Sequence, residues 1–260
     1  DLLTSAASDD IVRIFADQKV RKVGKTFPVC LVNGIEVAAA RSGSDTGSFP
    51  ESDLGMRDFT VNAMAFDPDE HRILDPFNGR KDLEKGVVRF TRDPEKRIKE
   101  DPARMIRACR FAAMIDGHLS VSSLEAILKY NGLIRDVAQE RIQYEILKAM
   151  VLDKASLFFR RLRETRLLGH IFPSLDRCFD LDGGPHHGET VFDHCLLVGD
   201  SLPETNPLLR LAGFLHDTGK FDAAVINDEK LSFPGHEKYT DAVVNDLEKL
   251  RFSNKDREYI

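Results

Sequence analysis

The chain has 260 residues, is 42% hydrophobic and 31% charged, and carries a net charge of −6; this excludes a disordered polymer and leaves room for two or more modules. The acidic sum argues against indiscriminate attraction to nucleic acid, so binding of that kind must rest on local basic patches. Four scattered cysteines without Cys-x-x-Cys spacing read as reduced thiols rather than a zinc knot, and with no signal peptide and no apolar run near roughly 20 residues the chain reads as soluble and cytoplasmic.

In chain order, Asp1-Leu2-Leu3-Thr4 leads an acid straight into apolar residues with no initiator Met, and the start reads as clipped. Asp9 to Lys19 is predicted as an amphipathic helix. Val20–Gly24, Pro28–Val32 and Ile35–Ala40 are short β-branched segments, the last two joined by Asn33-Gly34, a strong hairpin signal. On the second hairpin strand Glu36 alternates with Ile35 and Val37 and faces away from both. Ser42 to Asp53 is loop-like in composition, and Arg57 to Phe66 alternates as a strand would, with Asn62 inside it. Arg72–Leu74 is a return strand, Asp75–Gly79 a turn, and Val87–Thr91 a further strand.

From Glu95 the period becomes helical, with helices expected at Asp101–Ile115, Ser122–Tyr130, Gln139–Leu152, Ser156–Leu168, Val191–Leu202, Pro207–Thr218 and His236–Leu250. A composition shift at Pro173, Gly183, Gly184 and Pro185 marks a module boundary near 176–188. The fold class is therefore α+β: a palm with a mixed sheet and helices at 1–92, a helical neck and body at 93–175, and an all-α module at 176–260. Basic residues collect in two stretches, Arg80 to Lys99 and Arg160 to Arg166. Solvated faces and a polyphosphate track explain either stretch equally well.

The segment Glu100-Asp101-Pro102-Ala103-Arg104 reads as a helix start, because Pro suits the first turn and acids suit the positive end of the dipole. At about 100° per residue Asp101, Arg104 and Arg107 fall in one row. A carboxylate accepting from an exocyclic amine beside a guanidinium donating to a ring nitrogen suits the edge shared by cytosine and adenine, and rejects guanine and uracil. An Asp–Arg ion pair on a solvated face uses the same residues and stays open as a reading.

Taken together, these segments resemble the bacterial tRNA nucleotidyltransferase and poly(A) polymerase family, class II of the nucleotidyltransferase superfamily. The motifs that carry the resemblance are the strand Glu, Arg57-Asp58-Phe59-Thr60-Val61-Asn62-Ala63, the turn Asp75-Pro76-Phe77-Asn78-Gly79, and Glu100-Asp101-Pro102-Ala103-Arg104. The resemblance implies that Asp1 is the second acid of an Asp-any-Asp pair and Glu36 the third carboxylate, both holding Mg²⁺. It implies that Arg57, Asp58 and Asn62 form the ribose strand, that Asp101 and Arg104 template the base, and that Arg107 binds the triphosphate. Met56 stands where the family has Arg and Asn78 where many members have Gly, and the family's glycine-rich segment and first Asp fall before residue 1.

In the last module His194, the pair His216-Asp217 within His-Asp-Thr-Gly-Lys, and His236 resemble the HD phosphohydrolases, whose metal activates water. Imidazoles there favour Ni²⁺, Co²⁺ or Mn²⁺, and the family's later metal ligand is expected beyond Ile260. The function the resemblance implies is template-independent addition of CMP and AMP, from CTP and ATP, to the 3′ end of tRNA. Poly(A) polymerase and partial CC- or A-adding enzymes share these motifs. Rivals of other classes are a metal-dependent phosphohydrolase with an RNA-binding transferase-like half, and a non-catalytic RNA-binding protein.

Overall fold

The computed structural model describes residues 2–23, 29–39, 49–184, 188–227 and 230–260, in two compact units, 1–80 and 81–260. The expected divisions after 92 and after 175 both lie inside the second unit. Asp1 lies outside the described residues, as does most of the loop expected from Ser42.

In the first unit, strands β1 (Leu2–Thr4), β2 (Val20–Val23), β3 (Val29–Val32) and β4 (Ile35–Ala39) form a mixed sheet in the order β1-β4-β3-β2. β1 runs parallel to β4, with Leu2 opposite Val37, and the other pairs are antiparallel. Asn33 and Gly34 both take positive φ, 51° and 88°, as a two-residue hairpin matched to the strand twist requires. Helix α1 (Ser8–Ile14) covers one face, where Ile11 packs with Cys30, Val32 and Val37. Period-two alternation then puts Glu36, its partner Leu31, and Leu31's partner Arg21 on the opposite face.

The stretch Arg57–Phe66 is not the single strand its alternation suggests. After helix α2 (Glu51–Leu54) a 3₁₀ turn occupies Thr60–Asn62, and only β5 (Ala65–Asp67) extends, pairing with β6 (Arg72–Leu74). The cause is local: Asn62 Oδ1 accepts from Phe59 N–H at 3.1 Å and its Nδ2 donates to Asp58 at 3.4 Å, so the amide competes with a ladder. The Asp75 turn is also more than a turn. Its carboxylate accepts from the N–H groups of Gly79 (2.6 Å) and Arg80 (3.0 Å), opening helix α3 (Gly79–Glu84), which the expected elements did not include. Asn78 has φ 59°, a left-handed conformation Asn tolerates, so it replaces Gly there at little strain. Gly79 is different, because a Cβ on it would fall 2.1 Å from Thr60 O.

The second unit is mostly helical. Short parallel strands β7 (Val87–Val88) and β8 (His118–Leu119) precede and follow α4 (Pro94–Glu100) and α5 (Ala103–Met114). Then come α6 (Val121–Tyr130), α7 (Gln139–Ala149), α8 (Ser156–Glu164), α9 (Leu168–Ile171) and α10 (Pro173–Asp176). α5 is the hub: its buried Met105, Ile106, Cys109, Ala112 and Ala113 pack against α7 and α8. Phe159 of α8 links this core to the later helices, its ring centroid lying 4.5 Å from that of Phe214 and 6.1 Å from that of Phe172.

Helices α11 (Val191–Ser201) and α12 (Pro207–Leu215) pack closely, and a Cβ on Gly199 would overlap the Phe214 ring. Arg210, 1% exposed, donates to the carbonyls of Met150 (2.9 Å), Leu152 and Asp153 (2.6 Å) at the end of α7, and to Gly199 O (3.2 Å). The carbonyls just past α7 have no partner within the helix, and that of Met150 is in a buried residue. Beyond α13 (Lys220–Ala223) a hairpin of β9 (Val225–Asn227) and β10 (Lys230–Ser232), absent from the expected elements, precedes α14 (Asp241–Lys249) and α15 (Asn254–Tyr259). His236 therefore stands on a 3₁₀ turn, His236–Lys238, and not on the long helix expected from it. No helix among the described residues is long and apolar enough to cross a membrane. The four cysteines are free and buried, and burial pushes the thiols of Cys109, Cys178 and Cys195 up to about 12.

Candidate nucleotide and metal sites

On the first unit, Glu36 is exposed on the face of the sheet opposite α1. Lys19, Arg21, Leu31, Asn33 and Gly34 line a cleft of about 530 Å³ on the same sheet, so two cations stand beside this face. Arg57, Asp58 and Asn62 are half-buried and lie together around the 3₁₀ turn, with Arg57 3.7 Å from Asp53. They come from one turn rather than from one strand face.

On the second unit, Asp101 lies between α4 and α5 in extended backbone, φ −153°, and its carboxylate accepts from Ala103 N–H at 3.2 Å. It therefore caps the helix instead of sharing its row with Arg104 and Arg107. The Asp101–Arg104 ion pair left open as an alternative does not form, and two others stand in its place. Arg141 of α7 donates from both terminal nitrogens to Asp101, at 3.0 and 2.8 Å, while Arg104 Nη1 donates to Glu100 (3.0 Å) and to Arg97 O (2.8 Å). Glu100 also accepts from Arg97 at 2.7 Å. Burial works against the charge on Asp101, but the Arg141 fork and the Ala103 N–H outweigh it and hold the carboxyl below its usual range. Asp101 thus stays an acceptor at neutral pH, and Arg104 keeps its Nη2 edge without a protein partner among the described residues.

Arg107 meets Glu145 of α7 at 3.3 Å, and Glu145, 6% exposed at its side chain, also accepts from Arg110 at 2.5 Å. Arg141 and Glu145 were not among the residues singled out from the sequence, nor was the pairing of Glu100 with Arg97 and Arg104. Nothing in the local pattern of α7 distinguishes Arg141 from a solvated arginine.

The third group brings together all four residues of the proposed HD centre. Asp217, 7% exposed at its side chain, has Oδ2 3.6 Å from His194 Nε2, 3.3 Å from His216 Nε2 and 2.7 Å from Lys220 Nζ, with Oδ1 3.1 Å from His236 Nε2. His194, His216 and Asp217 offer ligand atoms within 4.8 Å of one another. Each imidazole is turned by its other nitrogen: His194 Nδ1 to Glu189 (3.1 Å), His216 Nδ1 to Gly213 O (2.9 Å), and His236 Nδ1 to Phe233 O (3.2 Å). That arrangement aims Nε2 inward, as metal-binding histidines require. Burial opposes ionisation of Asp217, but hydrogen bonds from His216 and Lys220 prevail and keep it far below the ordinary carboxylate range. Lys220 was missed, although it closes the His-Asp-Thr-Gly-Lys string one turn after Asp217.

A mixed four-stranded sheet in the first unit, and a helical second unit in which an acid and an arginine stand at a helix start, agree with the α+β class of a nucleotidyltransferase. The family described as "Poly A polymerase head domain" matches residues 1–89, and that described as "Probable RNA and SrmB-binding site of polymerase A" matches 118–179. The chain is 35% identical over 227 residues to the "Multifunctional CCA protein" of Aromatoleum aromaticum, covering 79% of this chain and 55% of that protein. It is 32% identical over 209 residues to "Poly(A) polymerase I" of Salmonella typhimurium, covering 70% and 44%. Among solved structures, the Bacillus stearothermophilus CCA-adding enzyme in complex with CTP aligns with a TM-score of 0.56 at 33% identity, over 64% of this chain and 42% of that one. The chain belongs to the tRNA nucleotidyltransferase and poly(A) polymerase family, and spans about half the length of these curated relatives.

Proposed function

We propose that the chain is part of a template-independent RNA nucleotidyltransferase that adds CMP and AMP, from CTP and ATP, to the 3′ end of tRNA. The observation that carries this reading is the pair Asp101 and Arg104, each held by its own partner, so that a fixed acceptor and a guanidinium edge stand at one helix start. Asp101 accepts the exocyclic amine of cytosine or adenine and Arg104 donates to the adjoining ring nitrogen. Arg107 neutralises triphosphate charge. Arg57, Asp58 and Asn62 hold the ribose, and Glu36 on the sheet face opposite α1, with Asp1, supplies the carboxylates. The hard oxygen of Glu36 suits Mg²⁺, which when bound supplies charge neutralisation at the leaving pyrophosphate. The palm is assigned to 1–92 and the helical neck and body to 93–175. Named relatives include poly(A) polymerase I, so a poly(A)-adding enzyme is the nearest alternative.

The test is extension of tRNA lacking its CCA end by the full-length protein, with each nucleoside triphosphate supplied separately. CTP and ATP should be used and UTP and GTP refused. Asp101→Ala should weaken that refusal by about 1–3 kcal/mol, the worth of a bidentate base contact. Retention of the preference with loss only of rate would remove the templating role.

A second activity is favoured by the histidine centre. We assign 176–260 as an HD module in which His194, His216, Asp217 and His236 hold a transition metal such as Ni²⁺, Co²⁺ or Mn²⁺, which when bound supplies an activated water for phosphoester hydrolysis.

A further inference from the structure

We infer that Glu189 is a positioning residue of the histidine centre, whose negative charge, passed through the His194 ring, tightens the hold on a divalent cation; this rests on the reading of that cluster as a metal site. The three imidazoles are not alike at their outer nitrogens. His216 and His236 each turn Nδ1 to a backbone carbonyl, Gly213 O at 2.9 Å and Phe233 O at 3.2 Å, whereas His194 turns its Nδ1 to the Glu189 carboxylate at 3.1 Å. A carbonyl is enough to fix a ring and its tautomer. A carboxylate does more, because it draws the Nδ1 proton and leaves Nε2 the stronger donor to a cation.

The charges around the centre point the same way. Asp217 is matched by Lys220, whose Nζ lies 2.7 Å from Oδ2 and whose side chain is only 9% exposed. Among the described groups that ion-pair with the four candidate ligands, Lys220 thus offsets Asp217, and Glu189 is the carboxylate that leaves the cluster negative. A cluster of that sign attracts a divalent cation where a neutral one would not.

Folding alone does not account for the placement. An acid suits the start of α11, but Asp193 already stands in the first turn, and the cap is Thr190, whose hydroxyl accepts from Asp193 N–H at 3.1 Å. Glu189 lies before the cap and reaches over the first turn to His194. Its backbone is pinned for that reach: Gly183 N–H donates to Glu189 O at 3.1 Å, and Thr190 bridges to Asp182. With both side chains partly exposed, the contact does little for stability, so its gain falls on the cation.

The test titrates metal-free full-length protein with Co²⁺ alone, following heat by calorimetry and the visible d–d absorption of the bound ion. Glu189→Ala should weaken binding about 10- to 100-fold, the usual loss when the outer partner of a ligating histidine goes. Glu189→Gln keeps an acceptor for the Nδ1 proton without the charge. Its affinity should fall between those of wild type and Glu189→Ala, and its d–d absorption should be displaced from that of wild type. The metal-free melting temperature of both variants should match wild type, since an exposed pair adds little to the fold. Wild-type Co²⁺ affinity in Glu189→Ala overturns the role. Wild-type affinity and spectrum in Glu189→Gln overturn it too, because orientation without charge would then suffice. So does weaker binding that merely follows a lowered metal-free melting temperature. Asp217→Ala separates these outcomes from failure of the underlying reading. Binding that Asp217→Ala abolishes and Glu189→Ala leaves intact removes the role of Glu189 alone, whereas a wild type that binds no Co²⁺ removes the metal centre and that role together.

Discussion

Arg141 grips both carboxylate oxygens of Asp101, at 3.0 and 2.8 Å, across the gap between the start of α5 and the start of α7. The fork fixes the plane of the carboxylate, and the orientation of its remaining lone pairs decides which base edge can meet it. Arg141→Ala should therefore relax discrimination, lowering the preference for CTP over UTP by about five-fold, or about 1 kcal/mol, with a smaller effect from Arg141→Lys, which keeps charge but not the fork. Steady-state kinetics with each triphosphate would show it. A fall in kcat with the preference intact would make Arg141 a structural residue only.

The same pair predicts a pH effect on stability. Because the Asp101 carboxyl is held below its unfolded value of about 3.9, the pair contributes fully above that value, and its contribution fades as pH falls through the lower folded value. The melting-temperature gap between wild type and Arg141→Ala should be widest near neutrality and close below about pH 4. A gap that stayed constant with pH would show that lost packing, not lost charge, sets it. Both side chains are partly exposed, so the gap is expected to be small.

Glu145 is a different case, since it is buried between Arg107 and Arg110. Glu145→Ala leaves Arg110, 9% exposed at its side chain, without its carboxylate, and should cost about 3–5 kcal/mol of stability by thermal or urea unfolding. A loss under 1 kcal/mol would mean that the arginines find other partners.

The two chemistries should separate by point substitution. Asp217→Ala removes the carboxylate on which His194, His216 and His236 converge, and should abolish hydrolysis of phosphoesters in Ni²⁺ or Mn²⁺ while tRNA extension in Mg²⁺ continues. Both activities measured on one preparation, with thermal melting alongside, decide the matter. A parallel fall at unchanged melting temperature would show the two sites to be coupled.

What the sequence displayed and what it hid divide along physical lines. Asn33-Gly34 carries its own backbone preference, and Pro102 with its flanking acids marks a helix start, so the hairpin and α5 were legible locally. The His-Asp-Thr-Gly-Lys string was legible because its chemistry is concentrated in five residues. Asn62 misled, because period-two alternation says nothing of an amide that bonds its own turn. Asp101 misled by two positions: a residue that precedes the first turn of a helix does not obey the helix's angular spacing. Arg141 and Glu145 were invisible, since their roles depend on α7 packing beside α5, 40 and 38 residues away from their respective partners. Arg166, left-handed at φ 60° just past α8, was hidden by the opposite cause, a residue type that gives no hint of its backbone.

Arg210 ties the helices that carry the histidine cluster to the helices before them in the second unit. The carbonyls it satisfies at the end of α7 belong to the helix that carries Arg141 and Glu145, yet Arg210 itself sits on α12, the helix that ends at His216. A chain cut between α10 and α11 would strip α7 of its terminus and unsettle the residues that orient Asp101 and Arg107. The two proposed activities, expected to part under point substitution, would then resist separation by proteolysis, and a gene encoding only the segment up to α10 would lose the contacts that finish α7.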